Sequence, residues 1–514
     1  MQVTVTASVT DRDCYDLLVI GGGINGCGIA RDAAGRGWSV LLAEQDDLAA
    51  HTSSASTKLI HGGLRYLEQL HFGLVRKALE EREVLLASAP HIMWPLRFVV
   101  PHDRHLRPLW LIRAGLFLYD HLAKRRLLPA SQAADLRAHV AGEPLASRFA
   151  RGFIYSDVWV DDARLVVLTA RDAAERGATV LTRTRCARLE RSADLWSATL
   201  LERSGGERTV RARAVVNATG PWVGSFIREA TPVSAARQVR LVKGSHIVVR
   251  RLFEHRFAYL FQNADRRVVF ALPYERQFTL IGTTDLDYAG DPANPSIEAA
   301  EVDYLCATPN LYFRQQITRA DVRWSYSGVR PLLADESRDA SGVTRDYALD
   351  IEDREAPLLS VFGGKITTYR KLAEDAVDRV ARRLHRPRVH WTGSATLPGG
   401  DLPSGSFAVF VRALARQYPW LPSALRHRYA RAYGSRTTRL LQGVTSVAGL
   451  GEEVLPNLYE LEIDYLQRFE WACSAEDILW RRSKLGLHLP PGSAQQLEAW
   501  LKRSGPRRAA HSGR

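Results

Sequence analysis

Apolar residues in this chain gather into short blocks punctuated by glycine and charge. Three blocks read as buried strands: Tyr15–Ile20, Val40–Ala43 and residues 214–217. Each ends at a glycine, a charged residue or a turn signal. Helical spacing lies between or after them, which predicts a parallel α/β sheet. Residues 231–355 differ. Segments such as SHIVVR, RRVVFAL and FTLIGTT alternate and read as antiparallel strands. PLLSVFG (357–363) is another buried strand, followed by a helix over 367–383. A stretch rich in glycine, proline and serine, 391–405, predicts a linker. Beyond it, SFAVFVRALARQY, PSALRHRYARAY and SAEDILWRRSKLG predict a helical C-terminal domain over 406–502. Residues 1–13 read as a loose leader and 503–514 as a basic tail.

Composition narrows the class. With 46% hydrophobic and 25% charged residues among 514, the chain is not disordered, collagenous or a disulfide scaffold. The five cysteines are scattered, with no CxxC pair. That argues against a zinc ribbon, a cysteine-held iron–sulfur cluster and a secreted disulfide framework, and suits a reducing compartment. The net charge of +14 invites anionic partners. Only eight of the 70 basic residues are lysine, and the charge is spread along the chain, so it singles out no nucleic-acid-binding arm. No run of 18 apolar residues predicts a membrane span, and the N-terminus lacks the basic start and apolar run of a secretory signal.

Chemistry first shows where YDLLVI runs into Gly21-Gly22-Gly23-Ile24-Asn25-Gly26, with a helix expected from about Cys27. This is GxGxxG between a strand and a helix. Gly21 permits the tight turn, Gly23 lets backbone approach a pyrophosphate, and Gly26 allows close helix–strand packing. The next strand ends at Glu44, which suits the ribose hydroxyls and repels a 2′-phosphate. Three further signals favour FAD over NAD. The first is a hydroxyl-rich run, Thr52-Ser53-Ser54-Ala55-Ser56-Thr57-Lys58. The second is a strand ending in Ala218-Thr219-Gly220, followed by Trp222. The third is Gly363-Gly364-Lys365-Ile366-Thr367, where a strand meets a helix start whose positive end suits a reduced flavin. Asn25 belongs to the same expected cofactor set.

Longer motifs then carry a resemblance. GGGINGCGIARDAAGRG, TSSASTKLIHGGLRYLE, YSDVWVDDARL, VNATGPWV, KGSHIVV, IGTTD, YSGVRPL and VFGGKITTYRKLAE resemble the FAD-dependent, quinone-linked glycerol-3-phosphate dehydrogenase family. The resemblance is dense over about 14–390 and weaker beyond. It implies a glutathione-reductase-type FAD-binding Rossmann-like part (about 14–95, 150–230 and 355–385). It also implies an inserted antiparallel-sheet substrate part (about 96–149 and 231–354). The implied reaction is oxidation of sn-glycerol 3-phosphate to dihydroxyacetone phosphate, with electrons passing through FAD to a membrane quinone.

That reaction needs cations for a phosphate dianion, a group to take the C2 hydroxyl proton, and positive charge near the flavin. Arg65, Tyr66 and Arg345 are assigned mainly to phosphate. His61, Arg330 and Lys365 are assigned to the reacting carbinol, with Thr367 on the flavin or substrate. Which group is the base stays open. An arginine is a poor one, with a pKa above about 12, whereas an unperturbed histidine near about 6.5 is the ordinary choice. No metal ligand set stands out.

Residues 105–126, HLRPLWLIRAGLFLYDHLAKRR, place Leu111, Ile112, Gly115, Leu118, Tyr119 and Leu122 on one helical arc. Arg113, Asp120, His121, Lys124 and Arg125 fall on the other, with Trp110 and Phe117 among them. Such a helix suits the interface of a bilayer, here the cytoplasmic face of the cytoplasmic membrane, as well as packing on its own core. Two rival activities remain: a glycerol-3-phosphate oxidase using oxygen, and an FAD-containing nucleic-acid-binding or RNA-modifying protein, for which no recognition motif is present. Quinone contact and homodimer formation both stay open for the C-terminal part.

Overall fold

Alternate side chains of β1 (Tyr15–Ile20) enter two different cores. Leu17 and Val19 pack under helices, whereas Leu18 and Ile20 face a β meander. Burial on both sides explains the unbroken apolar run. In the computed structural model, which describes residues 14–68, 70–103, 107–234, 237–263, 267–333 and 346–505 without the side chains of Arg65 and Glu68, β1 is central to the first of two large sheets. The expected leader and residues 506–514 of the expected tail lie outside the described residues.

Parallel pairing joins β1 to β2 (Val40–Ala43) and to the end of β10 (Glu207–Asn217). β2 pairs in parallel with β7 (Thr179–Leu181), and β10 with β18 (Leu358–Gly363). Antiparallel additions complete the sheet: β17 (Tyr347–Glu352) on β18, β9 (Trp196–Glu202) on β10, and β8 (Thr184–Arg191) on β9. Helices α1 (Ile24–Gly35), α5 (Asp162–Glu175) and α8 (Tyr369–Arg383) cover the Leu17 face. The strand expected at 214–217 is the inner end of β10, whose outer half alternates in exposure and so shows no apolar run.

The second sheet is built on β11 (Val239–Arg250). It pairs antiparallel with β14 (Phe278–Gly282), β15 (Leu286–Asp287) and, along its whole length, β16 (Val322–Leu333). From β14 the sheet continues through β13 (Val268–Tyr274) and β12 (Ala258–Gln262). A parallel step leads to β4 (Met93–Pro101), then antiparallel to β6 (Arg151–Val160), which also holds β3 (Leu59–Ile60) and β5 (Gln132–Asp135). Helices α3 (Phe72–Ser88) and α4 (Leu109–His121) pack on one face, and α7 (Ala299–Asn310) on the other. The short helices α2 (Arg65–Glu68) and α6 (Val223–Ala230) follow the site loops.

Sheet membership differs from the sequence expectation at three places. Residues 59–60 and 151–160, expected with the dinucleotide part, pair in the second sheet. Residues 347–352, expected with the substrate part, pair in the first. Antiparallel neighbours far apart in sequence capture these strands, and no local signal reports that.

Helices α9 (Phe407–Gln417), α10 (Ser423–Tyr433), α11 (Thr437–Leu440), α12 (Glu460–Glu470) and α13 (Ser493–Ser504) share a separate core. The stretch 391–405 is irregular but not loose. Trp391 Nε1 donates to the Asp32 carbonyl at 3.1 Å, and Leu397 N donates to the Ser88 carbonyl at 2.9 Å. Buried ions tie the C-terminal helices down: Arg164 Nη2 meets Glu470 Oε1 at 2.9 Å, and Asp47 accepts from both Arg481 and Arg482.

Candidate active site

The turn after β1 is a close fit. Gly21 has φ +109°, and a Cβ there would lie 2.6 Å from the Ala218 carbonyl oxygen. A Cβ on Gly26 would lie 1.9 Å from the Gly21 carbonyl oxygen, so both positions demand glycine. A Cβ on Gly23 would meet only Ser53 Oγ, at 3.1 Å, which leaves that side approachable. The helix begins at Ile24 rather than near Cys27, because Ser53 Oγ accepts the Ile24 amide at 3.0 Å. Glu44 stands just past β2, buried. Its carboxylate accepts the Gly22 amide at 2.5 Å and the Asp46 amide at 2.8 Å, while burial pushes its pKa up. Glu44 thus fastens the glycine turn to the end of the second strand.

The hydroxyl-rich run divides by role. Thr52 Oγ1 donates to the Val329 carbonyl at 2.7 Å and so fixes the run to β16. Ser54 Oγ donates to the His51 carbonyl at 3.2 Å. Ser56 Oγ donates to Asp162 Oδ2 at 2.7 Å, and Lys58 Nζ donates to Asp162 Oδ1 at 2.8 Å. Lys58 is fully buried, and burial pushes its ammonium down. Ser56 and Lys58, expected to bind cofactor, therefore hold the loop to the start of α5. Lys58 has φ +60°. Thr57 Oγ1 lies 3.0 Å from His246 Nε2.

The second cofactor signal meets the start of this loop, and the third meets Asn25 and the His61 turn. Thr219 Oγ1 donates to Asn217 Oδ1 at 2.7 Å, Gly220 has φ +60°, and the Trp222 ring lies edge-on to His51 at 4.9 Å. Asn25 Nδ2 donates to the Gly363 carbonyl at 3.3 Å, and its Oδ1 is buried without a hydrogen-bond partner. Gly363 and Gly364 have φ +74° and +99°, and a Cβ on Gly364 would lie 2.8 Å from Asn25 Nδ2. Thr367 Oγ1 accepts the His61 amide at 3.4 Å.

The expected chemical residues lie on three elements. Lys365, at the β18–α8 junction, places its ammonium 4.0 Å from the Tyr66 ring centre. Arg330, on β16, pairs with Asp285 and donates to Thr283 Oγ1 at 3.1 Å. His61 is half-buried, edge-on to Phe270 at 6.5 Å. The Arg65 side chain and all of Arg345 lie outside the described residues. Sequence reading missed His246. Burial, then the charges of Arg330 and Lys58, push its imidazole well below the usual range, and its ring stacks on Tyr326 at 4.7 Å. The quoted motif KGSHIVV held this residue, but a histidine inside an apolar strand carries no signal of its own.

A cavity of about 540 Å³ lies behind the hydroxyl run, walled by Tyr326, the stacked pair Trp324 and Trp480, and Lys484. It shares Thr52 and Ser54 with the expected cofactor set but none of the glycine turn or the Lys365 region. No group of three or more metal-ligating side chains occurs among the described residues.

A glycine turn, a helix start, an acid after β2 and an orphaned Asn25 oxygen fit an adenine dinucleotide. These features define a dinucleotide-dependent oxidoreductase. Residues 16–370 match the family described as FAD dependent oxidoreductase, and the chain belongs to that family, with FAD as its cofactor. Over 505 residues it is 54% identical to the glycerol-3-phosphate dehydrogenase of Pseudomonas aeruginosa, covering 98% of both chains. It is 50% identical over 495 residues to the D-erythritol 1-phosphate dehydrogenase of Brucella abortus, covering 96% of this chain and 99% of that one. The X-ray structure of the glycerol-3-phosphate dehydrogenase from Bacillus halodurans complexed with FAD matches with a TM-score of 0.78 at 28% identity, covering 96% of this chain and 91% of that one.

Proposed function

We propose that the protein oxidises sn-glycerol 3-phosphate to dihydroxyacetone phosphate and passes the electrons through FAD to a membrane quinone. The observation that supports this reading is the contact of Lys365 with Tyr66, on the helix that follows His61, next to the Gly363 carbonyl that Asn25 of the glycine turn reaches. Near full-length identity to glycerol-3-phosphate dehydrogenases supports the substrate.

FAD when bound supplies the hydride acceptor. Gly21, Gly23, Gly26 and Glu44 would hold its adenine end, Ser53 and Thr57 would line its path, and the helix start after Gly363, Gly364 and Thr367 would favour its reduced ring. Tyr66, with Arg65 and Arg345, holds the phosphate. Lys365 and Arg330 face the C2 oxygen and lower the cost of negative charge there. His61, half-buried on the turn before Tyr66, takes the hydroxyl proton. His246 acts one step back, keeping Thr57 in place as a neutral imidazole.

Helix α4 supports the membrane part of the reading. Trp110 is 72% exposed and Phe117 58%, and Leu118 is exposed with them. Asp120, expected on the polar arc, is instead buried, where its Oδ2 accepts from the Ser131 amide at 2.8 Å. None of the helices among the described residues is long and apolar enough to cross a membrane. A helix lying on anionic lipid reconciles this with a quinone acceptor.

The test is an anaerobic visible spectrum of the holoenzyme in mild detergent. sn-Glycerol 3-phosphate bleaches the flavin, D-erythritol phosphate bleaches it more slowly, and glycerol does not. Re-oxidation by a short-chain quinone far faster than by air completes the result. A flavin untouched by glycerol 3-phosphate overturns the substrate, and fast re-oxidation by air with peroxide formation overturns the acceptor.

A further inference from the structure

The turn that carries His61 is pinned by a residue outside the expected site. Tyr119 lies on α4, and its hydroxyl accepts the Gly62 amide at 2.9 Å, with Asp157 Oδ1 a longer second acceptor at 3.4 Å. The same hydroxyl donates to Asp157 Oδ1 at 2.8 Å, and Asp157 in turn is held by Arg82 Nη1 at 2.7 Å. All three side chains are buried. A phenol has one proton to give. Asp157 takes it, so the oxygen lone pairs face Gly62 and the polarity of the chain is fixed. Burial, then the Asp157 charge, pushes the Tyr119 pKa well above its ordinary range, so the hydroxyl keeps that proton at any working pH.

The glycines are placed for this contact. A Cβ on Gly62 would lie 2.6 Å from the Tyr119 oxygen and 2.5 Å from Leu79 Cδ2, so only glycine admits the phenol. The next residue, Gly63, has φ +75°, and a Cβ there would lie 2.3 Å from the Tyr66 ring. That ring lies under the Lys365 ammonium. Contacts therefore run without a break from Tyr119 through Gly62 and Gly63 to Tyr66 and Lys365. Thr367 holds the other side of the turn through the His61 amide.

We infer that Tyr119 is a positioning residue for substrate: its hydroxyl fixes the His61–Gly63 turn and so aims Tyr66 at the phosphate of glycerol 3-phosphate. The inference rests on the substrate reading above. The test is Tyr119→Phe in the FAD-loaded full-length enzyme, matched against Tyr259→Phe. Tyr259 is an equally buried tyrosine that donates to the Ala141 carbonyl at 2.6 Å, in the core on the other face of the second sheet.

Both variants are expected to keep FAD, the visible spectrum and the rate of flavin reduction by dithionite. Tyr119→Phe alone loses roughly tenfold in kcat/KM, mainly through KM, the scale of one lost hydrogen bond. Equal kinetics in the two variants overturn the inference, because loss of a buried hydroxyl would then act only on the fold. Should Tyr119→Phe fail to load FAD, Asp157→Asn is measured instead. It keeps the packing and an acceptor oxygen, and must show the same raised KM in smaller degree. An unchanged KM there, or failure of both variants to fold, assigns the cluster to stability and overturns the inference. A wild-type flavin that glycerol 3-phosphate does not bleach overturns the substrate reading instead, so the two failures are distinct.

Discussion

The ammonium of Lys365 lies 4.0 Å from the centre of the Tyr66 ring. The contact joins the β18–α8 junction to the helix that follows His61, two segments some 300 residues apart in sequence. A cation over an aromatic face is attracted by the ring's quadrupole. On the reading proposed above, the Lys365 ammonium stabilises negative charge developing on the substrate oxygen. Lys365→Met should lower the rate of flavin reduction by glycerol 3-phosphate about 10²- to 10³-fold. FAD content should not change, because the glycine turn and Glu44 are untouched. Stopped-flow absorbance at saturating substrate checks both, and a loss below tenfold would remove Lys365 from the chemistry.

Arg330 is held by neighbours that leave it little room. A Cβ on Gly244 would lie 2.3 Å from Arg330 Nη2 and 2.8 Å from Thr283 Oγ1. Gly244→Ala therefore displaces the guanidinium without removing it. A kcat about tenfold lower, with FAD retained and a melting temperature near wild type, is the expected outcome. Arg330→Lys should not restore activity, since an ammonium cannot keep two fixed donors on Asp285 and Thr283 together. Steady-state kinetics with a soluble quinone measure both.

Stability should fall on mild acidification through buried imidazoles. Both nitrogens of His91 are buried without hydrogen-bond partners, and burial, then Arg164 and Arg431, pushes its pKa down to about 3. The unfolded chain takes up a proton below about pH 6.5 that the folded chain refuses, so stability is lost as pH drops from there. From pH 6.5 to 5 the loss is about 2 kcal/mol for one such histidine. His91→Gln should lower the melting temperature at pH 7.5 yet flatten its decline toward pH 5. A decline of unchanged slope would show that other groups set it.

Much of the site was legible because its geometry is local. Gly21, Gly26 and Glu44 lie within one β–α–β unit, where spacing alone predicts their places. Lys365 stands next to two glycines at a strand end, another local signal. What was missed is made by contacts between distant strands. Lys58 reads as a cofactor lysine until Asp162, on another element, captures it. His246 reads as filler in an apolar strand until β16 brings Arg330 beside it. Tyr119 falls on the apolar arc that the period predicts, an arc that fails at the exposed Leu118 and the buried Asp120, and no pattern announces that its hydroxyl meets Gly62. β6 and β17 were put with the wrong sheets for the same reason. Pairing partners are chosen by register and burial across the whole chain, not by neighbours in sequence.

The outward face of α4 makes the membrane claim measurable. Trp110 and Phe117 are exposed at 72% and 58% and form no part of a buried core, whereas Leu116 and Tyr119 anchor the helix inward. Arg107, Arg113, Lys124 and Arg126 are exposed around them. Burying one large side chain in the interface gains about 1.5–3 kcal/mol. Trp110→Glu with Phe117→Glu should therefore weaken binding to anionic lipid vesicles at least about 10²-fold. Flavin reduction by glycerol 3-phosphate in detergent-free buffer should persist, because neither side chain reaches the His61 turn. Electron delivery to a long-chain quinone held in the vesicles should collapse in step with binding. Co-sedimentation with vesicles and quinone reduction, followed on one preparation, check the prediction. A doubly substituted enzyme that still sediments with vesicles would move the membrane contact to another face of the protein.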